Sequence, residues 1–412
     1  MKRVVITGIG ILSSIGQNKT EVLKSLKKGK SGIIFSEKMK KCGMKSNVWG
    51  KINFNYKKFF KKKFFKYMNL ETLYAYLAMK EAISDSCLKD YHYKSNKDVG
   101  LILGTGFCSS RNNLRDLNIV NKKNNNFYKN YKSVNIYTVF QVMNSSISAC
   151  LSTIFNINGI SYSISSACAT SSNCIGHSYE LIKSGQQKIV FSGGSDSLTT
   201  NTAFYFDIIK ALSKKYNSTP EKSSRPYDLN RDGFVLSEGS GVLVLEELDS
   251  ALFRKAHIYG EIISYNSNSD GFSMFIPSEK GMYRCMKSAV KNIPTNIDCI
   301  NVHATSTKIG DIKELNAIKK VFKKKHFPLI SSTKSMTGHS LGASGVHEAI
   351  FLLLMLENNF IAPSINIEIM DPKVKNIKII TSFKEIFLNT VMSNSFGFGG
   401  VNTVLIFKKF FY

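Results

Sequence analysis

Cys168 has the sequence surroundings of a catalytic nucleophile. A strand is predicted over residues 160–164, small residues follow it, and a helical pattern begins directly behind the cysteine. A thiol at a helix N-terminus faces free backbone N–H groups and the positive end of the helix dipole, which favour the thiolate. The same N–H groups can form an oxyanion hole. We expect a nucleophile here; a buried structural cysteine is the alternative.

Two of the seven histidines lie in small, polar segments that follow predicted strands. His303 comes after the predicted strand 299–302, and His339 lies between the predicted strand 329–331 and a helix. Sites in parallel α/β sheets collect where strands end. Together with Cys168, the two histidines form a candidate catalytic trio. A metal site is less favoured, because the sequence has no H-x-x-x-H motif and no clustered cysteines.

A second polar group accompanies these three residues. Asp311 and Glu314 are three positions apart at the predicted start of a helix and therefore share one face. Lys334 belongs to the segment that carries His339, and Phe398 lies in the glycine-rich segment 393–400, where its backbone or ring could approach a ligand. For the two carboxylates, helix capping is the alternative function.

Strands and helices must alternate along the whole chain to position these residues. Short β-branched runs are followed by helical patterns from residue 4 to residue 407, with further strands predicted at 377–380 and 404–407. This alternation predicts an α/β protein with largely parallel sheets. Two stretches of similar rhythm meet near residue 250, and the asparagine-rich region 107–135 is predicted to be a surface excursion.

Composition restricts the class of protein further. The 412 residues are 43% hydrophobic with only 7 prolines, which excludes a disordered chain. The apolar run 349–356 is far shorter than the roughly 20 residues of a membrane-spanning helix. We interpret residues 1–16 as a buried strand rather than a signal peptide, because glycines interrupt them and no cleavage site follows. The eight cysteines contain no C-x-x-C pair, which favours a reducing cytoplasm.

The net charge of +27 has three possible explanations. Lysine, asparagine and isoleucine are all abundant, so compositional drift accounts for much of it. An acidic partner superimposed on that drift is the second explanation. Nucleic-acid binding is the third, but the lysines are spread over most segments and no patterned groove or recognition helix is evident.

Four segments resemble the signature motifs of the β-ketoacyl-[acyl-carrier-protein] synthases, the elongating enzymes of fatty-acid synthesis: YSISSACATSSNCIG, HATSTKIGD, KSMTGHSLGASG and NSFGFGG. The resemblance covers essentially the full chain and is closer to type I of these enzymes than to type II. It implies a thiolase fold, with two similar βαβαβαββ halves over residues 1–250 and 251–412. The halves would stack as five α-β-α-β-α layers, and the protein would be a homodimer.

The resemblance also implies residue roles. Cys168 matches the nucleophile, His303 and His339 match the catalytic histidines, and Lys334 matches a lysine that pairs with Glu314. The backbone N–H groups of Cys168 and Phe398 match the oxyanion hole, and Phe398 matches the acyl gate. The other matched positions are the pantetheine contacts Thr305 and Thr307, the carrier-docking residues Lys62, Lys63, Lys66, Lys129 and Lys132, and a structural monovalent-cation site at Asn301, Glu348, Ser393 and Asn394.

The implied activity is a decarboxylative Claisen condensation of acyl-carrier with malonyl-carrier. It requires no cofactor and no catalytic metal; acyl carrier protein is the expected partner, with neither nucleic acid nor a membrane. A type II enzyme and a non-elongating partner subunit are the alternatives, although such a subunit would lack Cys168. A thiolase would share the fold, but its usual second cysteine near the C-terminus is missing, since no cysteine follows Cys299.

Overall fold

The computed structural model describes residues 1–55, 63–107, 135–322 and 327–412, with backbone only at residues 63 and 64. The strands are β1 Val4–Leu12, β2 Ile33–Phe35, β3 Val48–Gly50, β4 Val99–Gly104, β5 Ser161–Tyr162, β6 Ile189–Asp196, β7 Gly239–Glu247, β8 Gly260–Ser269, β9 Cys299–Asn301, β10 Leu329–Ser331, β11 Phe360–Ile361, β12 Lys384–Glu385, β13 Thr390–Gly397 and β14 Val401–Lys408.

The helices alternate with these strands as predicted. They are α1 Lys19–Lys28, α2 Glu37–Lys41, α3 Leu70–Asp85, α4 Asp90–Tyr93, α5 Thr138–Val142, α6 Ser146–Phe155, α7 Thr170–Lys183, α8 Thr200–Ile208, α9 Leu248–Phe253, α10 Glu279–Val290, α11 Gly310–Val321, α12 Lys334–Thr337 and α13 Ser344–Asn358. Local signals set several helix ends. The side chain of Asn18 caps α1, which ends at Gly29 with a φ of 61°.

A ten-stranded sheet has the same strand order on both sides of its centre. Outward from the centre the order is β1-β7-β6-β4-β5 on one side and β8-β14-β13-β9-β10 on the other. In each half the first two pairings are antiparallel and the next two are parallel. The halves meet through the antiparallel pairs from Val4↔Ile262 to Ile6↔Gly260. The chain therefore contains two copies of one topology.

The helices complete five layers. Helices α7 and α13 contact each other and strands of both halves, so they form the central layer. Helices α3 and α6 cover the outer face of the first half, and α10 and α11 cover that of the second. This is the predicted thiolase fold. Within the described residues, helices long and apolar enough to cross a membrane are absent.

Three details differ from the sequence prediction or lie outside the description. The sheet is mixed rather than largely parallel, because β13 and β14 are joined by only the turn Phe398–Gly400, which is too short for a parallel crossover. The predicted strand over 377–380 is wrong: Ile379 forms only an isolated bridge to Ile330. The surface excursion predicted for residues 107–135 lies almost entirely outside the described residues.

Candidate active site

Cys168 lies in the connection between β5 and the N-terminus of α7, where the sequence analysis placed it. It is buried. The preceding residue, Ala167, has a φ of +50°, a left-handed backbone conformation that residues other than glycine rarely adopt. Thr170 stabilises this sharp turn, since its hydroxyl donates to Ala167 O at 2.7 Å and accepts from the N–H of Ser166 at 2.8 Å. The turn places the thiol beyond the C-terminal end of β5, in the region where His303 and Phe398 follow the ends of β9 and β13.

His339 is the nearest polar neighbour of the thiol. Its Nε2 lies 2.9 Å from Cys168 Sγ, and its Nδ1 lies 2.7 Å from Ser344 Oγ. The backbone of His339 forms a bridge to the segment before β7, with its N–H donating to Val235 O at 2.7 Å. The two ring nitrogens are therefore held by contacts from separate elements.

His303 completes the trio from the loop behind β9. Its ring centroid lies 5.3 Å from that of His339. Glu314, on α11, holds the loop by accepting the N–H of His303 at 2.9 Å and that of Ala304 at 2.8 Å. Cys168, His303 and His339 each offer one atom to a group whose members all lie within 4.8 Å of one another. The fold thus brings together three residues that are up to 171 positions apart.

The predicted ion pair between Lys334 and Glu314 is wrong. Lys334 Nζ forms its ion pair with Glu348 on α13, and both side chains are buried. The carboxylate of Glu314 is already engaged by two backbone N–H groups and by Asn394 Nδ2 at 3.0 Å. Glu314 therefore orients the His303 loop, while Lys334 remains close enough for its charge to act on both histidines.

Burial dominates the protonation of the trio. It lowers the pKa of His303 and of His339 well below the ordinary value, and the charge of Lys334 lowers both further. Both rings are therefore neutral near pH 7. Burial raises the pKa of Cys168 to about 11, although the Lys334 charge and the Phe398 N–H oppose this effect. The expected depression of the thiol pKa is not found, because desolvation outweighs the favourable groups.

Two cavities meet at Cys168 and Phe398. One has a volume of about 430 Å³ and includes both histidines, Thr305 and Thr307 in its lining. The other, about 330 Å³, is mostly apolar and is lined in part by Phe107 and Phe206. Phe398 lines both cavities, as do Phe206, Phe275 and Leu341, so this apolar group lies where the two cavities meet.

The aromatic partners of Phe398 have no signal in the sequence. Its ring stacks on Phe275, with centroids 5.5 Å apart, and lies 6.4 Å from that of Phe206. Phe275 belongs to the segment between β8 and α10, and Phe206 belongs to α8. No motif marks these residues, because each belongs to a different element and only the fold brings their rings together.

The candidate cation site consists of oxygen donors. Ser393 Oγ and Asn394 Oδ1 are buried and have no hydrogen-bond partner among the described residues. Asn301 Oδ1 accepts only long bonds from Thr333, at 3.3 and 3.4 Å. Glu348 supplies a carboxylate whose Oε1 is paired with Lys334 and whose Oε2 is buried without a hydrogen-bond partner among the described residues. Hard oxygen ligands of this kind suit an alkali cation, so the residues present fit the implied group.

The trio itself is a poorer site for a metal cation. Its thiol and two imidazoles are suitable ligands for a soft divalent ion. The buried thiol is protonated near neutral pH, however, because burial raises its pKa to about 11, and a soft metal ion binds the thiolate.

The docking lysines are only partly described. Lys66 is exposed, at the end of the 3₁₀ helix Lys63–Tyr67. The side chain of Lys63 and all of Lys62, Lys129 and Lys132 lie outside the described residues. Three other lysines, Lys210, Lys215 and Lys308, line the 430 Å³ cavity that contains the histidines.

Comparison with known proteins gives consistent matches over both halves. Residues 1–251 match the N-terminal domain of beta-ketoacyl synthase and residues 259–368 its C-terminal domain. The chain is 54% identical to 3-oxoacyl-[acyl-carrier-protein] synthase 1 of Buchnera aphidicola subsp. Baizongia pistaciae, over 100% of both chains. It is 51% identical to the protein of that name from Escherichia coli K12, over 99% of both.

Solved structures of similar proteins have the same fold. A beta-ketoacyl synthase from Burkholderia phymatum superimposes with a TM-score of 0.91 at 31% identity, over 100% of both chains. A ketosynthase solved in complex with its type II polyketide acyl carrier protein gives a TM-score of 0.90 at 28% identity, again over 100% of both chains.

Proposed function

Since the chain belongs to the β-ketoacyl synthase family and catalyses the condensing, chain-elongating step of type II fatty-acid synthesis, we propose that Cys168, His303 and His339 carry out its chemistry. The observation that supports this assignment best is the 2.9 Å approach of His339 Nε2 to Cys168 Sγ, with the His303 ring beside it. A thiol and two neutral imidazoles provide one nucleophile and two hydrogen-bond donors.

The first half-reaction loads the enzyme. Cys168 attacks the thioester carbonyl of an acyl chain carried by pantetheine, the C–S bond to the carrier breaks, and the thiol proton ends on the departing pantetheine sulfur. The acyl chain would enter the apolar 330 Å³ cavity, which begins at Cys168. Phe398, which lines both cavities, would act as the acyl gate and turn aside to admit the chain.

The second half-reaction generates the carbon nucleophile. Malonyl-carrier enters the larger cavity, where Thr305 and Thr307 would contact its pantetheine arm. Loss of CO2 leaves an enolate oxygen, which His303 and His339 stabilise as neutral N–H donors. A neutral imidazole can donate its N–H to the enolate oxygen, and the lowered pKa values of both histidines support the neutral form.

Carbon–carbon bond formation closes the cycle. The enolate carbon attacks the acyl-cysteine carbonyl, and the resulting oxyanion binds the backbone N–H groups of Cys168 and Phe398. The contact between the Phe398 N–H and the Cys168 sulfur supports this placement. Collapse of the tetrahedral intermediate releases 3-oxoacyl-carrier and expels the Cys168 thiolate, which takes one proton from solvent to return to the thiol.

Acyl carrier protein is the proposed macromolecular partner. A relative of known structure binds such a carrier, and the net charge of +27 suits an acidic protein. The docking site would consist of Lys62, Lys63, Lys66, Lys129 and Lys132. The lysines that line the larger cavity would extend this positive field to the site itself.

A second copy of the chain is the other proposed partner. Strand β5 is at the edge of the sheet, and both of its residues, Ser161 and Tyr162, are exposed. Ile136, just before α5, and Val139 and Phe140 on α5 also expose apolar side chains. An open edge strand favours strand pairing with a second copy across a twofold axis. Tyr162→Asp should therefore convert a dimer to a monomer in light scattering; a wild-type monomer would refute the homodimer.

Two further assignments remain proposals. The division into halves at residues 1–250 and 251–412 is supported by the repeated strand order. A cytoplasmic location is supported by the cysteines, since those in the described part of the chain are all free thiols.

Intact-protein mass spectrometry tests the nucleophile directly. Acyl-carrier should add one acyl group to the wild-type enzyme, located on Cys168, and no acyl group to Cys168→Ala, which should also lose condensation while remaining folded. Cys174→Ala is the matched control, because Cys174 is a buried cysteine on α7. Normal condensation by folded Cys168→Ala would overturn the assignment.

The histidines are tested by separating the half-reactions. His303→Ala and His339→Ala should each slow malonyl decarboxylation by ~10²–10³ but still allow acylation of Cys168. A histidine variant that decarboxylates malonyl-carrier at the wild-type rate would refute the proposed role of that residue.

A further inference from the structure

A chain of four polar side chains connects the backbone of the first half to the ring of His339. It runs from His347 through Ser340 and Ser344 to His339, and all four residues are buried. The successive distances are 3.1 Å from His347 Nδ1 to Ser340 Oγ, 3.4 Å between the two serine oxygens, and 2.7 Å from Ser344 Oγ to His339 Nδ1. Proton positions along this chain determine which nitrogen of His339 carries hydrogen.

The far end of the chain has only one consistent arrangement. His347 Nε2 lies 3.0 Å from Leu12 O and 3.2 Å from Ser240 O, and carbonyl oxygens only accept hydrogen bonds. Nε2 of His347 therefore carries the proton. Burial lowers the pKa of His347 to about 4, so the ring is neutral and its Nδ1 is an acceptor. Ser340 must then donate its hydroxyl proton to His347 Nδ1.

Ser344 determines the near end. Its hydroxyl can donate to His339 Nδ1 at 2.7 Å or to Ser340 Oγ at 3.4 Å. If Nδ1 carried the ring proton, it would donate to Ser344 Oγ, and the buried Ser344 hydroxyl could then donate only across the 3.4 Å contact, which is longer than a normal O–H···O bond. Donation of the hydroxyl to Nδ1 at 2.7 Å avoids this poorly satisfied buried donor. With the hydroxyl donated to Nδ1, the proton of the neutral His339 ring must reside on Nε2, which faces Cys168 Sγ.

We propose that Ser344 is a positioning residue that holds His339 in its Nε2–H tautomer, with Ser340 and His347 fixing the direction of the hydrogen bonds behind it. This inference rests on the proposed function, because it explains how His339 presents a donor to the sulfur and to the enolate oxygen. Ser344 itself lies behind the ring, on the side away from the thiol.

Histidine tautomers can be read without measuring activity. In the full-length protein labelled with ¹⁵N-histidine, long-range ¹H–¹⁵N correlation spectra distinguish Nδ1–H from Nε2–H, and His339→Gln identifies the His339 signals by their loss. The wild type should show the Nε2–H form at His339. Ser344→Ala should introduce the Nδ1–H form, and Ser344→Thr, which keeps the hydroxyl, should restore the wild-type spectrum. A wild-type Nδ1–H tautomer, or a tautomer unchanged in Ser344→Ala, overturns the inference.

Kinetics provide a second readout. Loss of the outer partner that orients a metal-ligating histidine typically costs about 10–100-fold in activity, and we expect a loss of the same order for His339. Ser344→Ala should lower kcat for malonyl decarboxylation by that factor with KM unchanged, and Ser344→Thr should recover it. Ser178→Ala is the matched control: Ser178 is also buried on a helix but donates only to Cys174 O of its own helix. A rise in KM without a fall in kcat would contradict the positioning role.

The two hypotheses fail in different experiments. If His339→Ala decarboxylates malonyl-carrier normally, the catalytic role of His339 is wrong, whatever its tautomer. If His339 is required but its tautomer is independent of Ser344, the catalytic role stands and the positioning role of Ser344 is wrong.

Discussion

Glu314 Oε1 accepts the backbone N–H of His303 at 2.9 Å, so a carboxylate on α11 fixes the loop that carries a catalytic candidate. The second oxygen accepts the N–H of Ala304 at 2.8 Å. Glu314 is buried, and burial raises its pKa to about 7. Its contribution to the site is therefore the placement of His303 rather than an ion pair with Lys334.

Replacing Glu314 should affect one half-reaction more than the other. Glu314→Ala leaves the buried N–H of Ala304 and the part-buried N–H of His303 unpaired, which costs up to about 1–3 kcal/mol each, and frees the His303 loop. Malonyl decarboxylation should fall while acylation of Cys168 persists. CO2 release and acyl-enzyme formation, each measured at fixed reaction times, test this difference between the half-reactions. Asn316→Ala, on the same helix, is the control; equal loss of both half-reactions would contradict the orienting role.

The buried pair of Lys334 and Glu348 should show strong coupling. Lys334→Met leaves a buried carboxylate without its partner. Such a change typically lowers the free energy of unfolding by about 3–5 kcal/mol. The double variant Lys334→Met/Glu348→Gln should recover much of this loss. Urea unfolding of the two single variants and the double variant forms a thermodynamic cycle, and additive effects would show that the two side chains do not interact.

The charge of Lys334 should also determine the acid limit of catalysis. It lowers the pKa of both histidines, so its removal must raise both pKa values. In the folded double variant, imidazolium forms should therefore appear at a higher pH than in the wild type, and decarboxylation should be lost earlier as pH falls. A pH profile of decarboxylation tests this; an unchanged acid limb would show that burial alone determines the histidine pKa values.

Alkylation of Cys168 should depend steeply on pH. With a pKa of about 11, the thiolate is a minor species at neutral pH, so the iodoacetamide reaction rate should increase about tenfold per pH unit until the pKa is approached. Site-resolved mass spectrometry can follow Cys168, with exposed Cys42 as an internal reference. A plateau below about pH 8 would show that the helix N-terminus and Lys334 outweigh burial.

Potassium should stabilise the fold through the oxygen site. Ions that bind only the native state raise stability by about 2.7 kcal/mol when their concentration is 100 times Kd. Exchange of potassium for choline should therefore lower the Tm of the wild type but not that of Ser393→Ala. Ser192→Ala is the control, because Ser192 Oγ is also buried without a partner, on β6. An ion-independent wild-type Tm would contradict the site.

Charge reversal tests the carrier-docking surface. Lys63→Glu with Lys66→Glu should raise KM for acyl-carrier but leave activity with small pantetheine thioesters nearly unchanged, and the effect should weaken with salt. Lys375→Glu with Lys378→Glu is a matched pair with the same spacing on an exposed segment. If both substrates suffer equally, or the two pairs behave alike, the positive charge at Lys63 and Lys66 is not specific to docking.

The sequence is sufficient to locate the trio but not its partners. Cys168, His303 and His339 are recognisable because each is a reactive residue in a segment of small residues at the end of a predicted strand. The partner of Lys334 is not recognisable, since Glu314 and Glu348 are both buried carboxylates and only the packing of α13 selects between them. Ser344 and the rings of Phe206 and Phe275 are ordinary residues until the fold places them beside His339 and Phe398.

The repeated strand order has a consequence for how this enzyme can tolerate change. The thiol precedes α7 in the first copy, whereas His339 precedes α13, the corresponding helix of the second copy. A fragment ending after β7 would hold the nucleophile without its donors, and one beginning at β8 would hold the donors without a nucleophile. The duplicated architecture therefore provides no redundancy. Each copy supplies a different part of the active site, so a substitution that disables one copy cannot be compensated by the other.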